Sequence, residues 1–123
     1  MNFPVISIAI PTKNRMNILL ECIDFCLSQT YSNFEIVISE NSDTNSSYKE
    51  ILSRVTDGRI KVVRAGGLSM CENWENAITN CCGELVFPIG DKIFLHRNAL
   101  KNIIQGHFFD DTVDILSFRH TAK

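Results

Sequence analysis

Short apolar runs alternate with longer segments of helical periodicity along this chain. The apolar runs predict strands at residues 5–10, 34–38, 60–63 and 85–89, with a fifth at residues 114–118. The first run is almost uniformly apolar, which is typical of a parallel strand buried on both faces. Pro88 cannot donate to a neighbouring strand, so we expect pairing of the fourth strand to stop near it.

The segments between these runs carry the periodicity and the capping residues of helices. The predicted helices are residues 16 to about 29, 47 to about 55, 69 to near 83, and about 98 to 105, the last stopped by Gly106. Asn14 is the expected N-cap of the first helix. Ser47 with Glu50, and Ser69 with Glu72, have the spacing of capping boxes.

This alternation predicts one α/β domain over residues 1–123, with a Rossmann-like, mostly parallel sheet and helices on both faces. Trp74, in the third helix, is expected to lie in the core. The pattern stops directly after the fifth strand, so we expect a shortened or partial form of such a domain. An open sheet edge of this kind favours self-association into a homo-oligomer.

Three polar segments directly follow predicted strands: residues 11–15, 39–42 and 90–92. The carboxyl ends of parallel strands lie at one edge of the sheet, where open α/β sheets bind their ligands. The segments bring together two carboxylates and two basic side chains, those of Glu40, Asp91, Arg15 and Lys92. The sequence therefore predicts a ligand-binding crevice at this edge.

Each candidate residue has a structural as well as a functional interpretation. Arg15 precedes a helix N-terminus and suits a phosphate, but a solvated side chain fits equally well. Glu40 can accept a hydrogen bond from a base N–H or a ribose hydroxyl, whereas turn formation is the stronger interpretation for residues 41–43. Asp91 suits ribose, a hard cation or a Gly-Asp turn. Asn73 either points into the crevice or caps its helix.

The composition excludes several classes of function. A formal net charge of -2 and a pI of about 5.9 give no electrostatic basis for nucleic-acid binding. The chain has no glycine-rich dinucleotide or P-loop motif, and its three histidines are too scattered for a Ser-His-Asp site. Its five cysteines lack metal-site spacing and are expected to be buried, reduced thiols of a cytoplasmic protein. No signal-peptide pattern and no transmembrane stretch is present in the sequence.

Four segments resemble, in the same order, the inverting family 2 glycosyltransferases of GT-A fold: residues 5–15, 34–42, 68–77 and 83–91. The resemblance implies a truncated GT-A domain of a nucleotide-sugar-dependent glycosyltransferase. Its donor would be a nucleotide-diphosphate sugar, and its acceptor a carbohydrate or lipid-linked hydroxyl in surface polysaccharide synthesis. The resemblance also places the acceptor half and the general base of inverting transfer beyond residue 123.

By this resemblance the nucleotide site is lined by Pro11, Thr12, Asn14, Arg15, Glu40, Asn73, Asp91 and Lys92. Glu40 stands where the family has an acidic residue that reads the base. Asp91 stands at the first position of the family's Asp-x-Asp or Asp-Asp-Asp motif, whose carboxylates contact ribose and hold a Mn²⁺ or Mg²⁺ ion that bridges the diphosphate. Lys92 and Ile93 replace expected acidic residues, so Asp91 is the candidate metal ligand, and Lys92 can offset diphosphate charge in place of the cation.

Two other functions fit the same pattern. A catalytically inactive nucleotide-binding or assembly module is favoured by Lys92, Ile93 and the short chain. A flavodoxin-like or receiver-type domain has the right size, but a receiver needs paired acidic residues after the first strand, where this chain has residues 11–15.

Overall fold

The strands and helices alternate as predicted. The computed structural model describes residues 4–109, with side chains described for residues 4–105. In chain order its elements are β1 (Ile6–Thr12), α1 (Met16–Leu27), β2 (Phe34–Glu40), α2 (Asn45–Arg54), β3 (Ile60–Arg64), α3 (Met70–Thr79), β4 (Leu85–Pro88) and α4 (Ala99–Phe109). Among these described elements, no helix is both long and apolar enough to cross a membrane. The predicted fifth strand, residues 114–118, lies outside the described residues.

The four described strands form a parallel sheet in the order β3-β2-β1-β4. β1 pairs along its whole length with β2, from Ile6 opposite Phe34 to Thr12 opposite Glu40. On its other side β1 pairs with β4, whose pairing stops at Pro88 as predicted. The chain moves outward from β1 through β2 to β3 and then returns across the sheet to β4, so the strand order reverses between β1 and β4. Such a switch point opens a crevice at the carboxyl ends of the strands.

One face of the sheet packs against α1, α2 and α4 through large apolar side chains. Alternate residues of β1 and β2 point to this face, and Ile8 and Ile36 are completely buried there. The helices contribute the buried side chains of Leu19, Cys22, Ile23, Cys26, Ile51, Leu100, Ile103 and Ile104. Full burial of a large aliphatic side chain is worth roughly 1.5–3 kcal/mol. This layer is therefore the main hydrophobic core of the described residues.

The opposite face carries small side chains where α3 lies on β1, β2 and β4. Ala9 of β1 and Ala77 of α3 are both fully buried. Small side chains at a packing interface let the two backbones approach closely. Trp74 is half-buried, so its predicted place in the core is wrong. Asn73 and Ala77 define the sheet-facing side of α3, and Trp74 lies about 100° around the helix from Asn73.

The predicted capping box at the start of α3 is confirmed. Ser69 Oγ accepts a hydrogen bond from Glu72 N at 3.2 Å, and Glu72 Oε1 accepts one from Ser69 N at 2.9 Å. The bond from the Ser69 backbone also lowers the pKa of Glu72. Both bonds are local in sequence, so the sequence pattern was sufficient to locate this helix start.

Three other predicted helix boundaries are wrong. Asn14 does not occupy the N-cap position of α1, which falls one residue later. α2 begins at Asn45 rather than at Ser47, and Arg64 Nε donates to Asn45 Oδ1 at 2.8 Å, which ties this earlier start to β3. Gly106 lies inside α4 instead of stopping it. A single glycine inside a helix costs only about 1 kcal/mol relative to alanine, which tertiary packing can offset.

The five cysteines are free thiols, but not all of them are buried. Cys22 and Cys26 lie in the core side of α1, as predicted. A hydrogen bond with Cys22, together with burial, raises the pKa of Cys26. Cys71 and Cys82 are exposed, so the prediction of buried thiols is wrong for these two. Cys71 lies in the first turn of α3, away from the sheet-facing side, and Cys82 lies in the loop before β4.

Gly83→Ala is expected to lower the free energy of unfolding by about 1–3 kcal/mol, since overpacking a close backbone contact is destabilising. An added Cβ would lie 2.5 Å from Ser7 Oγ and 2.8 Å from both Ser7 N and Val5 O. Gly58→Ala is the matched control, because nothing lies within 4 Å of a Cβ at that position. Urea unfolding of the two variants measures the difference. Equal effects would contradict the close approach of residue 83 to β1.

Candidate functional site

Polar side chains meet where β1, β2 and β4 end. Thr12 is the last residue of β1 and lies opposite Glu40, the last residue of β2. Asp91 follows β4 on the other side of β1 and contacts Thr12 across the switch point. The three strand-end segments therefore lie together at one edge of the sheet, as the strand pattern predicts.

Asp91 is a buried carboxylate with a protein partner on each oxygen. Thr12 Oγ1 donates to Asp91 Oδ2 at 2.9 Å, and Arg15 Nη1 donates to Asp91 Oδ1 at 3.3 Å. The Asp91 side chain is only 8% exposed, whereas the Arg15 side chain is 47% exposed. The pair thus places its negative end against the sheet and its positive end at the mouth of the crevice. Solvent screens the half-exposed guanidinium, so the pair contributes less to stability than a fully buried pair would.

Glu40 is buried beneath the loop that follows β2. Its side chain is almost inaccessible, and its Oε1 accepts a hydrogen bond from Ser42 N at 2.6 Å. Its carbonyl oxygen accepts bonds from Ala65 N at 2.8 Å and Arg64 Nη1 at 2.9 Å. Glu40 therefore lies at the predicted edge of the sheet, and one of its carboxylate oxygens already accepts a hydrogen bond from the loop that follows β2. Its role in reading a base stays a prediction.

Asn14 joins the loops that follow β1 and β2. Its backbone N donates to Ser42 Oγ at 2.8 Å, and its Nδ2 donates to Asp43 Oδ2 at 3.0 Å. The bond from Asn14, followed by the charge of Lys13, lowers the pKa of Asp43. Asn14 has a φ of 54°, a left-handed conformation that asparagine tolerates better than most residues. A bridge between loops, and not a helix cap, accounts for asparagine at this position.

Asn41 connects two loops that are distant in sequence, although the sequence alone favours a role in a local turn. Its Oδ1 accepts hydrogen bonds from Gly66 N at 2.9 Å and Leu68 N at 3.1 Å, and its Nδ2 donates to Leu68 O at 2.8 Å. The side chain thus fixes the loop between β3 and α3 to the end of β2. No local pattern could have revealed this role, because the partners lie 25 or more residues along the chain.

Asn73 points from α3 toward the strand ends and does not cap its helix, since Ser69 holds the N-cap position. Its Oδ1 accepts a bond from Ser39 Oγ at 2.7 Å, and its Nδ2 contacts Thr12 O at 3.4 Å. Asn76, one turn further along α3, donates from Nδ2 to the same Ser39 Oγ at 2.8 Å. Ser39 and Asn73 are both buried. This network supports the end of β1 that carries Thr12 Oγ1 into the crevice.

Of the remaining predicted residues, Pro11 is buried at the base of the crevice and Lys92 lies on its exposed rim. Pro11 is buried within β1, opposite Ser39 of β2. Lys92 is exposed directly beside Asp91, and Ile93 is 44% exposed. The rim at the end of β4 is therefore basic and apolar at the two positions that follow the buried carboxylate.

The described residues at this edge fit a divalent cation poorly. Within residues 4–109, no cluster of three or more His, Cys, Asp or Glu side chains is suitably placed to hold a metal ion. Asp91 is the carboxylate at the predicted metal position, and each of its oxygens already accepts one hydrogen bond, from Thr12 or from Arg15. Mn²⁺ and Mg²⁺ in nucleotide sites take one or two carboxylates together with phosphate oxygens and water, and here the one carboxylate already accepts a hydrogen bond from a cationic side chain.

A cavity of about 310 Å³ lies elsewhere, between α1, α2 and β3. Its lining residues are Leu20, Ile23, Asp24, Leu27, Arg54, Val55, Thr56, Asp57 and Ile60. Residues 54–57 lie shortly before β3, whose first residue, Ile60, also lines the cavity, so the cavity lies at the amino end of that strand. Hydrogen bonds from Arg59 hold the pKa of Asp57 at about 2, so this carboxylate is already paired. The crevice at the carboxyl ends is the better candidate for chemistry.

Known proteins match this chain in sequence. The model of the family described as glycosyl transferase family 2 matches residues 7–121. Glycosyltransferase GlyG of Streptococcus pneumoniae serotype 4 is 26% identical over 106 residues, which cover 82% of this chain and 34% of GlyG. An uncharacterized glycosyltransferase of Rickettsia bellii is 35% identical over 51 residues, which cover 42% of this chain and 7% of that protein. The chain thus spans about a third or less of the length of these curated relatives.

Solved structures share the fold at low sequence identity. Mannosyltransferase PcManGT from Pyrobaculum calidifontis, in complex with GDP-Man and Mn²⁺, has a TM-score of 0.73 at 18% identity, over 87% of this chain and 33% of that one. S. aureus TarS 1-349 has a TM-score of 0.76 at 16% identity, over 86% of this chain and 33% of that one. The predicted α/β fold of GT-A type is therefore confirmed. Because the family model matches nearly the whole sequence, the chain belongs to glycosyl transferase family 2.

Proposed function

We propose that the chain binds a nucleotide-diphosphate sugar in the crevice at the carboxyl ends of β1, β2 and β4. In a protein of the relatives' length, it would form the donor half of an enzyme that transfers the sugar to an acceptor hydroxyl. The observation that carries this proposal is the Arg15–Asp91 pair, which rests on Thr12 at the switch point. Family membership supports it, as do the similar structures solved with GDP-Man and with UDP.

The residues of the crevice suit different parts of such a donor. The Glu40 carboxylate suits a ring N–H of uracil or guanine, because a carboxylate is an acceptor without donors when ionised. Asp91 suits a ribose hydroxyl, which would donate to it beside Thr12. Arg15 suits the diphosphate, because its planar guanidinium matches phosphate oxygens in pairs. These side chains are held by hydrogen bonds before any ligand arrives, which lowers the entropic cost of binding.

Inverting transfer is an in-line displacement. The acceptor hydroxyl attacks the anomeric carbon, the bond from that carbon to the diphosphate oxygen breaks, and a general base removes the hydroxyl proton. In this scheme the crevice orients the donor and offsets the negative charge that develops on the leaving diphosphate. We assign the general base and the carbohydrate or lipid-linked acceptor site to the part of the relatives' length that this chain does not cover.

We also infer a cytoplasmic location. All five cysteines are free thiols, which fits a reducing compartment where disulfides are rare. Cys71 and Cys82 are exposed, and an oxidising compartment would leave such thiols open to oxidation or pairing.

Calorimetric titration of the purified chain with UDP, GDP and CDP tests the proposed function. We expect saturable binding of UDP or GDP, with CDP at least about tenfold weaker than the better of the two. The reason is that neutral cytosine has no ring N–H to donate to the Glu40 carboxylate. Failure of all three nucleotides to bind would contradict the proposal.

Glu40→Gln tests the role of the base-reading carboxylate. The substitution keeps the size of the side chain but removes its charge, so we expect about tenfold weaker binding of the preferred nucleotide. Glu21→Gln, at an exposed position of α1, is the matched control and should leave the affinity unchanged. Thermal unfolding of both variants verifies that the fold is retained. Equal affinities of a folded Glu40→Gln variant and the unsubstituted chain would rule out base reading by Glu40.

A further inference from the structure

We propose that this crevice binds the diphosphate of its ligand through Arg15 and Lys92, without a divalent cation. The inference rests on the proposed function, because it concerns how the same site holds a nucleotide diphosphate. It departs from the Mn²⁺ found with GDP-Man in the similar mannosyltransferase structure. The observation behind it is the state of the Asp91 carboxylate, which already holds a cationic side chain.

Both carboxylate oxygens of Asp91 already accept hydrogen bonds. One oxygen accepts from Thr12 Oγ1 at 2.9 Å, and the other accepts from Arg15 Nη1 at 3.3 Å. A metal ion on this carboxylate would have to displace the guanidinium or sit beside it. Displacement leaves the guanidinium without its partner, and a shared site places two cations within a few ångströms in a partly buried crevice. Both arrangements are unfavourable for binding of a metal ion at Asp91.

The two residues that follow Asp91 supply no second carboxylate. Mg²⁺ and Mn²⁺ sites of nucleotide enzymes use one or two carboxylates together with phosphate oxygens and water. Here the next position carries the ammonium of Lys92, and the one after it carries the alkyl side chain of Ile93, which is 44% exposed. Within the described part of the chain no cluster of three acidic, histidine or cysteine side chains compensates for this. The Lys92 charge disfavours a metal ion next to Asp91, and Ile93 supplies no ligand that would attract one.

Arg15 and Lys92 supply positive charge that suits a diphosphate. A guanidinium carries five N–H donors in a fixed plane, and the contact with Asp91 uses Nη1. The Arg15 side chain is about half exposed, so part of it remains accessible to a ligand. Lys92 is exposed on the adjoining rim and adds a second positive charge. Asp91 therefore positions an arginine for the diphosphate, much as an acidic motif would position a metal ion.

Calorimetry of the purified chain with UDP and GDP, in EDTA and in excess Mn²⁺, tests the inference. We expect affinities that agree within about twofold between the two conditions. We expect Arg15→Gln and Lys92→Ala each to weaken nucleotide diphosphate binding about tenfold while leaving binding of uridine or guanosine, which lack phosphate, unchanged. Lys101→Ala, at an exposed position of α4, is the control for loss of a surface charge.

Ile93→Asp provides a second, independent test, because it adds a carboxylate two residues after Asp91 at an exposed position. We expect Mn²⁺ to strengthen nucleotide binding in this variant but not in the unsubstituted chain. Binding by the unsubstituted chain only when Mn²⁺ is present would overturn the inference and leave the proposed function standing. Failure of every nucleotide diphosphate to bind in either condition would overturn both.

Discussion

β1 is paired in parallel on both sides, and this pairing determines where every polar strand end of the crevice lies. Its pairing with β2 sets Thr12 opposite Glu40, and its pairing with β4 brings Asp91 beside Thr12. A slip of one residue would turn the buried isoleucines of β1 toward the small side chains under α3. Burial of these isoleucines therefore fixes the pairing register of β1, and that register determines which residues meet at the strand ends. The packing of the core therefore also determines the geometry of the site.

The strand ends themselves are fixed by polar side chains rather than by apolar packing. Asn14, Asn41 and Asn73 each bond to a strand or loop that is distant in sequence. Every buried side-chain nitrogen and oxygen of the described residues has a hydrogen-bond partner. A buried polar network fixes the positions of its side chains only when every donor and acceptor in it has a hydrogen-bond partner. A crevice built in this way can hold charged side chains such as Asp91 and Arg15 in place without help from a ligand.

The sequence was informative where the physical signal is local. Apolar runs located the strands because a doubly covered parallel strand is apolar throughout, and the Ser69 capping box needs only residues three apart. The roles of Asn14 and Asn41 depend on partners more than 20 residues away, so turn and cap chemistry gave the wrong interpretation. The start of α2 depends in the same way on Arg64. The convergence of Glu40 and Asp91 was predictable, but the pairing of Asp91 with Arg15 was not, since it depends on side-chain directions.

The central claim is that a nucleotide binds at the switch point beside Asp91 and Arg15. Amide NMR spectra of the chain, recorded during titration with UDP or GDP, locate the bound nucleotide directly. The predicted result is a set of saturable shift changes concentrated at residues 12–15, 40–42 and 90–92. Changes concentrated instead at residues 54–57 and 60, which line the 310 Å³ cavity, would contradict it.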